Sequence, residues 1–406
     1  MLISSDKQAP SRSNAITGLP FSDLRVLDVS QGLAGPYCGM LLAQYGANVV
    51  KLEPPEGDWS RGIGTRHGSH SAIDLMANRG KQSIAVDLKN KASLAMVKRI
   101  AAQCDVVIES YRPGIAARLG IGYADIAQLK PDVIYVSVSG YGQSGDKSGL
   151  PATDTVMQGF SGMMSLNPDG EGKPRGLGFL AVDTLTALYA FQAVSVALYA
   201  RRGGAGGKHL DISLMQATAA ALTPKIIEAS LEGQAPQAIN VPAGGYRTHD
   251  GWLAITLSKE AHYGALCKAT GRPDLASDPR FASFQLRASH ARHLQAELGA
   301  VLAQRGTQEW LDIFQTHGVV ASRINTLTDW LHDPHVMATG TAPLTQDQDR
   351  AFHFPVTPGI AAPAADDPRA RWPDLGTDAA RVLHDFGFSE QEVDALRADG
   401  AFVQAN

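Results

Sequence analysis

Short apolar runs rich in Val and Ile alternate with stretches whose apolar residues recur at helical spacing. The runs are Arg25–Ser30 (RVLDVS), Asn48–Glu53 (NVVKLE), Ser83–Leu88 (SIAVDL), Asp105–Ser110 (DVVIES) and Asp132–Ser139 (DVIYVSVS). Their length and β-branched content predict strands buried on both faces. Helical patterns such as Pro36–Tyr45 and Ala92–Gln103 lie between them. This alternation predicts βαβ units and a doubly wound, mostly parallel α/β sheet. Such sheets bind ligands beyond the carboxyl ends of their strands. The turn Gln31-Gly32-Leu33-Ala34-Gly35-Pro36 after the first strand is therefore a candidate ligand loop, with Pro36 suited to the first turn of the next helix.

Further along, Gly203–Gly207 leads into a strand-like run, His209–Leu214, and then a helical stretch from Met215 that is interrupted at Pro224. A Pro- and Gly-rich crossing follows at about 233–245. The pattern restarts with a strand at Trp252–Leu257 and helices near 259–270, 287–304 and 307–317, which together predict a smaller second domain ending near 330. A Pro- and Ala-rich segment around 354–375 precedes two more helices, near 377–387 and 389–398. No internal repeat is visible.

With 44% hydrophobic and 19% charged residues among 406, the chain can bury a substantial core. The net charge of −4 is spread through the chain, which argues against a nucleic-acid or membrane-surface partner. Cys38, Cys104 and Cys267 are isolated and lack metal-like spacing, a usage that suits a reducing cytoplasm. Residues 1–19 are polar, lack the apolar core of a signal peptide and read as a flexible tail. Thr184–Ala200 invites comparison with a membrane span. It is about one turn too short and contains Gln192, so it reads as a buried core helix.

Candidate chemistry is sparse. SQGLAGP supplies only Gly32 and Gly35 of a dinucleotide fingerprint, which argues against an NAD-dependent dehydrogenase. GxSxG, Walker A and HExxH motifs are absent. His67 and His70 have no acidic or cysteine neighbour in their loop and read as solvated, not as metal ligands; no metal or tightly bound cofactor is expected. Arg61, Lys81, Arg112 and Arg118 lie near strand ends. Singly they are solvated charges; converging on one rim they would hold a phosphorylated cofactor. Asp183 opens the apolar run DTLTALYAFQAVSVALYA. An aspartate there is ordinarily an N-cap. The same helix end would also keep a reactive carboxylate ionised and could stabilise an adjacent oxyanion. The pattern leaves both readings open.

The blocks VLDVSQGLAGPYCGMLLAQYGANVVKLEPPEGDWSRG, NRGKQSIAVDLK, ESYRPGIAARLG, YVSVSGYGQSG, the Asp183 helix and GGKHLDISLMQA together resemble the class III CoA-transferases. DPRFASFQLRASHARHLQAELGAVLAQRGTQEWLDIFQTHGV and DPHVMATG resemble the same family's smaller domain, so the resemblance runs from about residue 20 to 400. It implies a Rossmann-like large domain from residues 20–225 and 335–406, with linkers and a small α+β domain in 226–334. It also implies an open-ring chain interlocked with a second copy in a homodimer.

By the same resemblance Asp183 falls on the family's nucleophile. Gln31, Gly32, Leu33 and Ala34 fall on its CoA-contacting loop, Ser110 and Tyr111 on the CoA channel, and Lys81 and Arg118 on phosphate contacts. Leu214 falls where the formyl-CoA enzyme has a methionine. Coenzyme A, as acyl-CoA, is then a substrate, and the partner is a small carboxylic acid. Arg66, His67 and Arg247 are candidates for a second carboxylate, as in a dicarboxylate, or are surface charges. Gln31 and Leu33 depart from the formyl-CoA enzyme's histidine and glutamine, and only Gly244-Gly245 remains of its glycine loop. These departures argue against formyl and oxalate. Thr153 and Asp154 align with the His-Asp pair of α-methylacyl-CoA racemase; without the histidine, proton exchange lacks one acid/base group. The implied function is acyl-CoA:carboxylate CoA transfer. A racemase or isomerase on the same fold and a non-catalytic CoA-binding protein are the alternatives.

Overall fold

The computed structural model describes residues 18–233, 240–348 and 350–403, so most of the expected tail lies outside the described residues. The chain divides into two compact units, one from Met1–Thr223 with Leu344–Asn406 and one from Pro224–Pro343. The larger unit holds six parallel strands: β1 (Arg25–Asp28), β2 (Asn48–Glu53), β3 (Gln82–Ala85), β4 (Val106–Glu109), β5 (Ile134–Ser139) and β6 (Lys208–Ser213). Their order is β3-β2-β1-β4-β5-β6. This is the doubly wound order of a Rossmann-type sheet.

The helices of this unit are α1 (Ala34–Gln44), α2 (Ala72–Asn78), α3 (Lys91–Ala101), α4 (Tyr123–Leu129), α5 (Asp154–Phe160), α6 (Ala181–Arg202) and α7 (Leu214–Ala221). Strand periodicity sends alternate residues to opposite faces. Val26, Val49, Val106, Ile134 and Val136 pack with Leu42, Val182, Ala190 and Val194 on one face. Leu27, Val50, Ile84, Val107 and Tyr135 pack on the other with Met96 and Ile100 of α3. The same cluster takes Val382 and Leu383 from the helix Ala379–Asp385, Phe386 at its C-cap, and Val393 from the helix Glu390–Ala398. Both faces are therefore covered, which is why the strands read as continuous apolar runs.

Helix α6 has 22 residues and is longer than the sequence pattern suggested. It is long and apolar enough to cross a membrane by length and composition. Val182, Thr186, Ala190, Val194 and Ala197 recur every three or four residues and bury one face in the sheet core.

Several charged side chains lie inside this unit, among them Lys81 and Arg61, which were expected near a solvated rim. Lys51, Asp58, Asp28 and Lys81 have fully buried side chains. Lys51 Nζ donates to Asp58 Oδ2 at 2.8 Å and to the Ser30 carbonyl. Lys81 Nζ donates to Asp28 Oδ2 at 2.7 Å, the Pro36 carbonyl at 2.7 Å and Asn78 Oδ1 at 2.9 Å. Its three protons are taken, so it braces the loop instead of facing a phosphate. Arg61 is likewise buried, donating to both Glu53 oxygens at 2.7 and 2.8 Å. His70 is not solvated: it is buried between Asp74 and Asp374. Charge enters this core because each ion has a partner; burial alone would expel it.

The smaller unit carries an antiparallel sheet of β7 (Gly244–Arg247), β8 (Trp252–Thr256) and β9 (Val320–Arg323), in the order β9-β8-β7. Tyr246, Leu253 and Ile255 face a core that includes Leu266, Leu294, Trp310 and Phe314. Gly244-Gly245, expected as a loop remnant, instead opens β7 and pairs with Ile255 and Ala254. The expected helix 287–304 breaks at His290 into Phe284–Ser289 and Ala291–Leu302.

Removing the Lys51 ammonium by Lys51→Ala would leave Asp58 and Asp28 buried with less opposing charge. A loss of about 3–5 kcal/mol is expected. A urea midpoint unchanged from wild type would contradict the bracing role.

Candidate active site

Strand order reverses between β1 and β4, with β2 and β3 on one side and β5 and β6 on the other. The loops leaving the carboxyl ends of β1 and β4 meet at this reversal, where doubly wound sheets bind ligands. The Gln31 N–H donates to Ser110 Oγ at 2.8 Å, and that hydroxyl lies 3.2 Å from the Gln31 carbonyl it donates to. The Tyr111 N–H donates to the Glu109 carboxylate at 2.8 Å. A cavity of about 290 Å³ opens beside them, lined in part by Gln31, Pro54, Asp87, Lys89, Tyr111 and Leu119.

The rest of the loop is held from below. Asp58 accepts the Gly32 N–H at 3.0 and 3.2 Å and the Ser60 N–H at 2.9 Å. Gly32 has φ +87°, the left-handed region that suits glycine. Leu33 and Ala34 are buried, and Ala34 begins α1. No side chain caps this helix, and the N–H groups of Ala34 and Gly35 have no acceptor among the described residues. An uncapped helix start of this kind favours anions.

Asp183 lies in the first turn of α6, where it is partly buried. It is not the N-cap; Leu180 occupies that position. The capping acceptor is remote in sequence. Asp154 Oδ2 takes the Val182 N–H at 2.7 Å and the Asp183 N–H at 3.0 Å, while its Oδ1 accepts from Gln158 at 2.5 Å. The Ala181 N–H goes to the Phe179 carbonyl at 2.9 Å. The start of α6 therefore has no spare donor at these positions for an oxyanion, contrary to the expectation from sequence. The free donors are those of α1. Burial first, and then the negative charge of Asp154, push the Asp183 carboxyl up to about 7.

The remaining predicted residues separate. Leu214 opens α7 and is buried in the cluster that contains Ala34, Met157 and Val182, so it supports the site from the core side. Arg118 ends a short helical turn, Ile115–Arg118, and is exposed, as is Arg112; neither lines the cavity. Arg66 and His67 are exposed in a two-residue strand, and Arg247 lies 5.8 Å from the Trp252 ring. Asp58 is a site residue that sequence reasoning missed. Its one local signal is the spacing Asp58-Trp59-Ser60, in which an aspartate can accept the N–H two residues on.

Two outcomes follow from the Asp183–Asp154 arrangement. Asp154→Asn keeps an oxygen for the helix start and removes a negative charge. The acidic limb of kcat/KM should then move down by roughly one pH unit, where a purely structural role would leave its midpoint in place. Asp183 has its pKa raised on folding, so its ionisation costs stability progressively as pH rises from its ordinary value of 3.8 to about 7, and the full cost stands above that. Asp183→Asn should therefore stabilise the fold at pH 8 on the order of 2 kcal/mol, after allowance for partial exposure. The gain should be missing at pH 4; equal thermal shifts at both pH values would contradict it.

Comparison with known proteins gives the family. Residues 21–379 match the family model described as CoA-transferase family III. The chain is 33% identical over 330 residues to succinyl-CoA:glutarate CoA-transferase of Mus musculus, covering 79% of this chain and 76% of that protein. It is 34% identical over 308 residues to acetyl-CoA:oxalate CoA-transferase of Acetobacter aceti, covering 74% and 79%. A crystal structure of a CAIB/BAIF family protein from Brucella suis superposes with a TM-score of 0.79 at 29% identity, covering 90% of this chain and 99% of that one. The chain belongs to CoA-transferase family III and is a class III CoA-transferase.

Proposed function

We propose that the enzyme moves CoA from an acyl-CoA donor to a carboxylic acid through covalent intermediates on Asp183. The observation that carries this reading is a partly buried carboxylate on a fixed helix start, with no hydrogen-bond donor directed at its oxygens among the described residues. Such a carboxylate is poorly solvated and reactive. Its oxygen attacks the thioester carbonyl, the C–S bond breaks, and CoA leaves as thiolate, giving an aspartyl–acyl anhydride. The thiolate then attacks the aspartyl carbonyl and releases the donor acid, leaving an aspartyl-CoA thioester. The acceptor carboxylate attacks this thioester to give a second anhydride. Thiolate attack on the acceptor's acyl carbon returns the Asp183 carboxylate. No net proton is consumed.

The Gln31–Ala34 loop, Ser110 and Tyr111 serve as the CoA contacts in this reading, with the open α1 donors of Ala34 and Gly35 facing developing negative charge. Lys81 acts from beneath the loop. The acceptor is a small dicarboxylate, since the mouse relative's name carries glutarate and succinyl-CoA and the Acetobacter relative's name carries oxalate. That revives oxalate, which the loop departures had argued against. Two copies interlock as a homodimer. In support, an apolar groove of about 590 Å³ runs along edge strand β6 between α6 and α7, and Val196 and Tyr199 beside it are 62% and 81% exposed. A cytoplasmic location suits three free, buried cysteines.

Asp183→Ala should lower transfer by at least a thousandfold while CoA affinity stays within about threefold. A mass-spectrometric screen of acetyl-, succinyl- and glutaryl-CoA against mono- and dicarboxylates, followed by trapping of acylated or CoA-bearing Asp183, tests it. Undiminished turnover by the alanine variant would sink the assignment.

A further inference from the structure

Trp59 has no role in the chemistry described above, yet it sits against the ligand loop. A Cβ built on Gly32 would lie 2.3 Å from Trp59 Cζ2 and 3.0 Å from Cη2. Glycine is therefore required at 32 twice, once by the backbone angle and once by the indole. The residues around Trp59 are locked. Asp58, Ser60 and Arg61 are buried, Asp58 holds both the Gly32 N–H and Lys51, and Arg61 is anchored to Glu53. Trp59 itself is 52% exposed, and its indole N–H has no acceptor among the described residues. A large aromatic side chain on a rigid support, half open to water at the ligand end of a sheet, is suited to contact with a ligand.

The position along the loop indicates which part of the ligand. Gln31 borders the cavity that includes polar Asp87 and Lys89, a setting for the nucleotide end. Trp59 packs one residue further along the loop, against Gly32, which lies in chain order between Gln31 and the free N–H groups of Ala34 and Gly35. We propose that Trp59 is a specificity-determining residue whose indole packs the acyl group of the donor thioester. This rests on the reading of the Gln31–Ala34 loop as the CoA contact.

The test compares acyl-CoA with CoA. Calorimetric titration of acetyl-, succinyl- and butyryl-CoA, and of CoA itself, is made into Asp183→Ala and into Asp183→Ala with Trp59→Ala. The Trp59 change should weaken the acyl-CoA ligands about tenfold or more and CoA less than twofold. In the enzyme with Asp183 intact, Trp59→Ala should raise KM for acyl-CoA and flatten the preference among acyl groups, and Trp59→Phe should restore most of both. Equal loss for CoA and acyl-CoA overturns the proposal, as does a change in oligomeric state that accounts for the whole effect, which would assign the indole to an interface between copies. Wild-type enzyme that transfers CoA from every donor with the same KM values as Trp59→Ala overturns this proposal alone. A wild type that transfers none overturns the reading of the site with it.

Discussion

The geometry of the ligand end depends on ion pairs buried under one loop. Lys51 reaches Ser30 and Asp58 from β2, while Lys81 reaches Asp28 and Pro36 from the turn after α2. The loop from Asp28 to Pro36 is thus gripped at both ends and, through Asp58 and Gly32, in its middle. A neutral core would pack as tightly but would not aim backbone N–H groups. Burial disfavours the Asp28 carboxylate, and the two lysines outweigh it and hold its pKa down. The charges thereby fix a conformation more than they add stability.

Helices α1 and α6, which both pack on the sheet, begin differently. Helix α6 has its first N–H groups satisfied by Asp154, whereas α1 begins with free ones. One helix end presents a carboxylate and the other presents donors. Asp154 does two things at once: it orients the turn that bears Asp183 and places a like charge beside it. The like charge raises the cost of ionising Asp183 in the folded protein.

What the sequence made legible was set by local rules. β2 runs from Asn48 to Glu53, as its NVVKLE pattern predicts, because strands buried on both faces need little beyond β-branched residues and polar ends. The Thr307–His317 helix is equally well marked, with Gly318 in the left-handed conformation closing it. Local rules failed where a partner was distant. Lys81 pairs with Asp28 across 53 residues, and Asp154 caps a helix starting 27 residues later. No spacing along the chain announces either contact. His70 misled in part for the same reason, since Asp374 arrives from the far end of the chain, and in part because Asp74, four residues along on the next helix, folds back onto its ring. Asp183 stood out through the linked blocks around it, since on its own it looked like a cap. Trp59 carried no signal, because an aromatic residue in a turn is unremarkable until Gly32 is seen beneath it.

The larger unit is assembled from both ends of the chain, and this orders its maturation during synthesis. Residues up to Thr223 contain all six strands, but the face bearing Leu27, Val50 and Ile84 is completed by Val382, Leu383, Phe386, Val393 and Phe402. Val403 also bonds to the Ala85 carbonyl on edge strand β3, at 2.8 Å. While the smaller unit is being translated, one side of the nascent sheet is covered only in part, by α3 and α4. For that interval it is the kind of surface that chaperones recognise, and the emergence of the segment from Val382 to Phe402 ends the exposure.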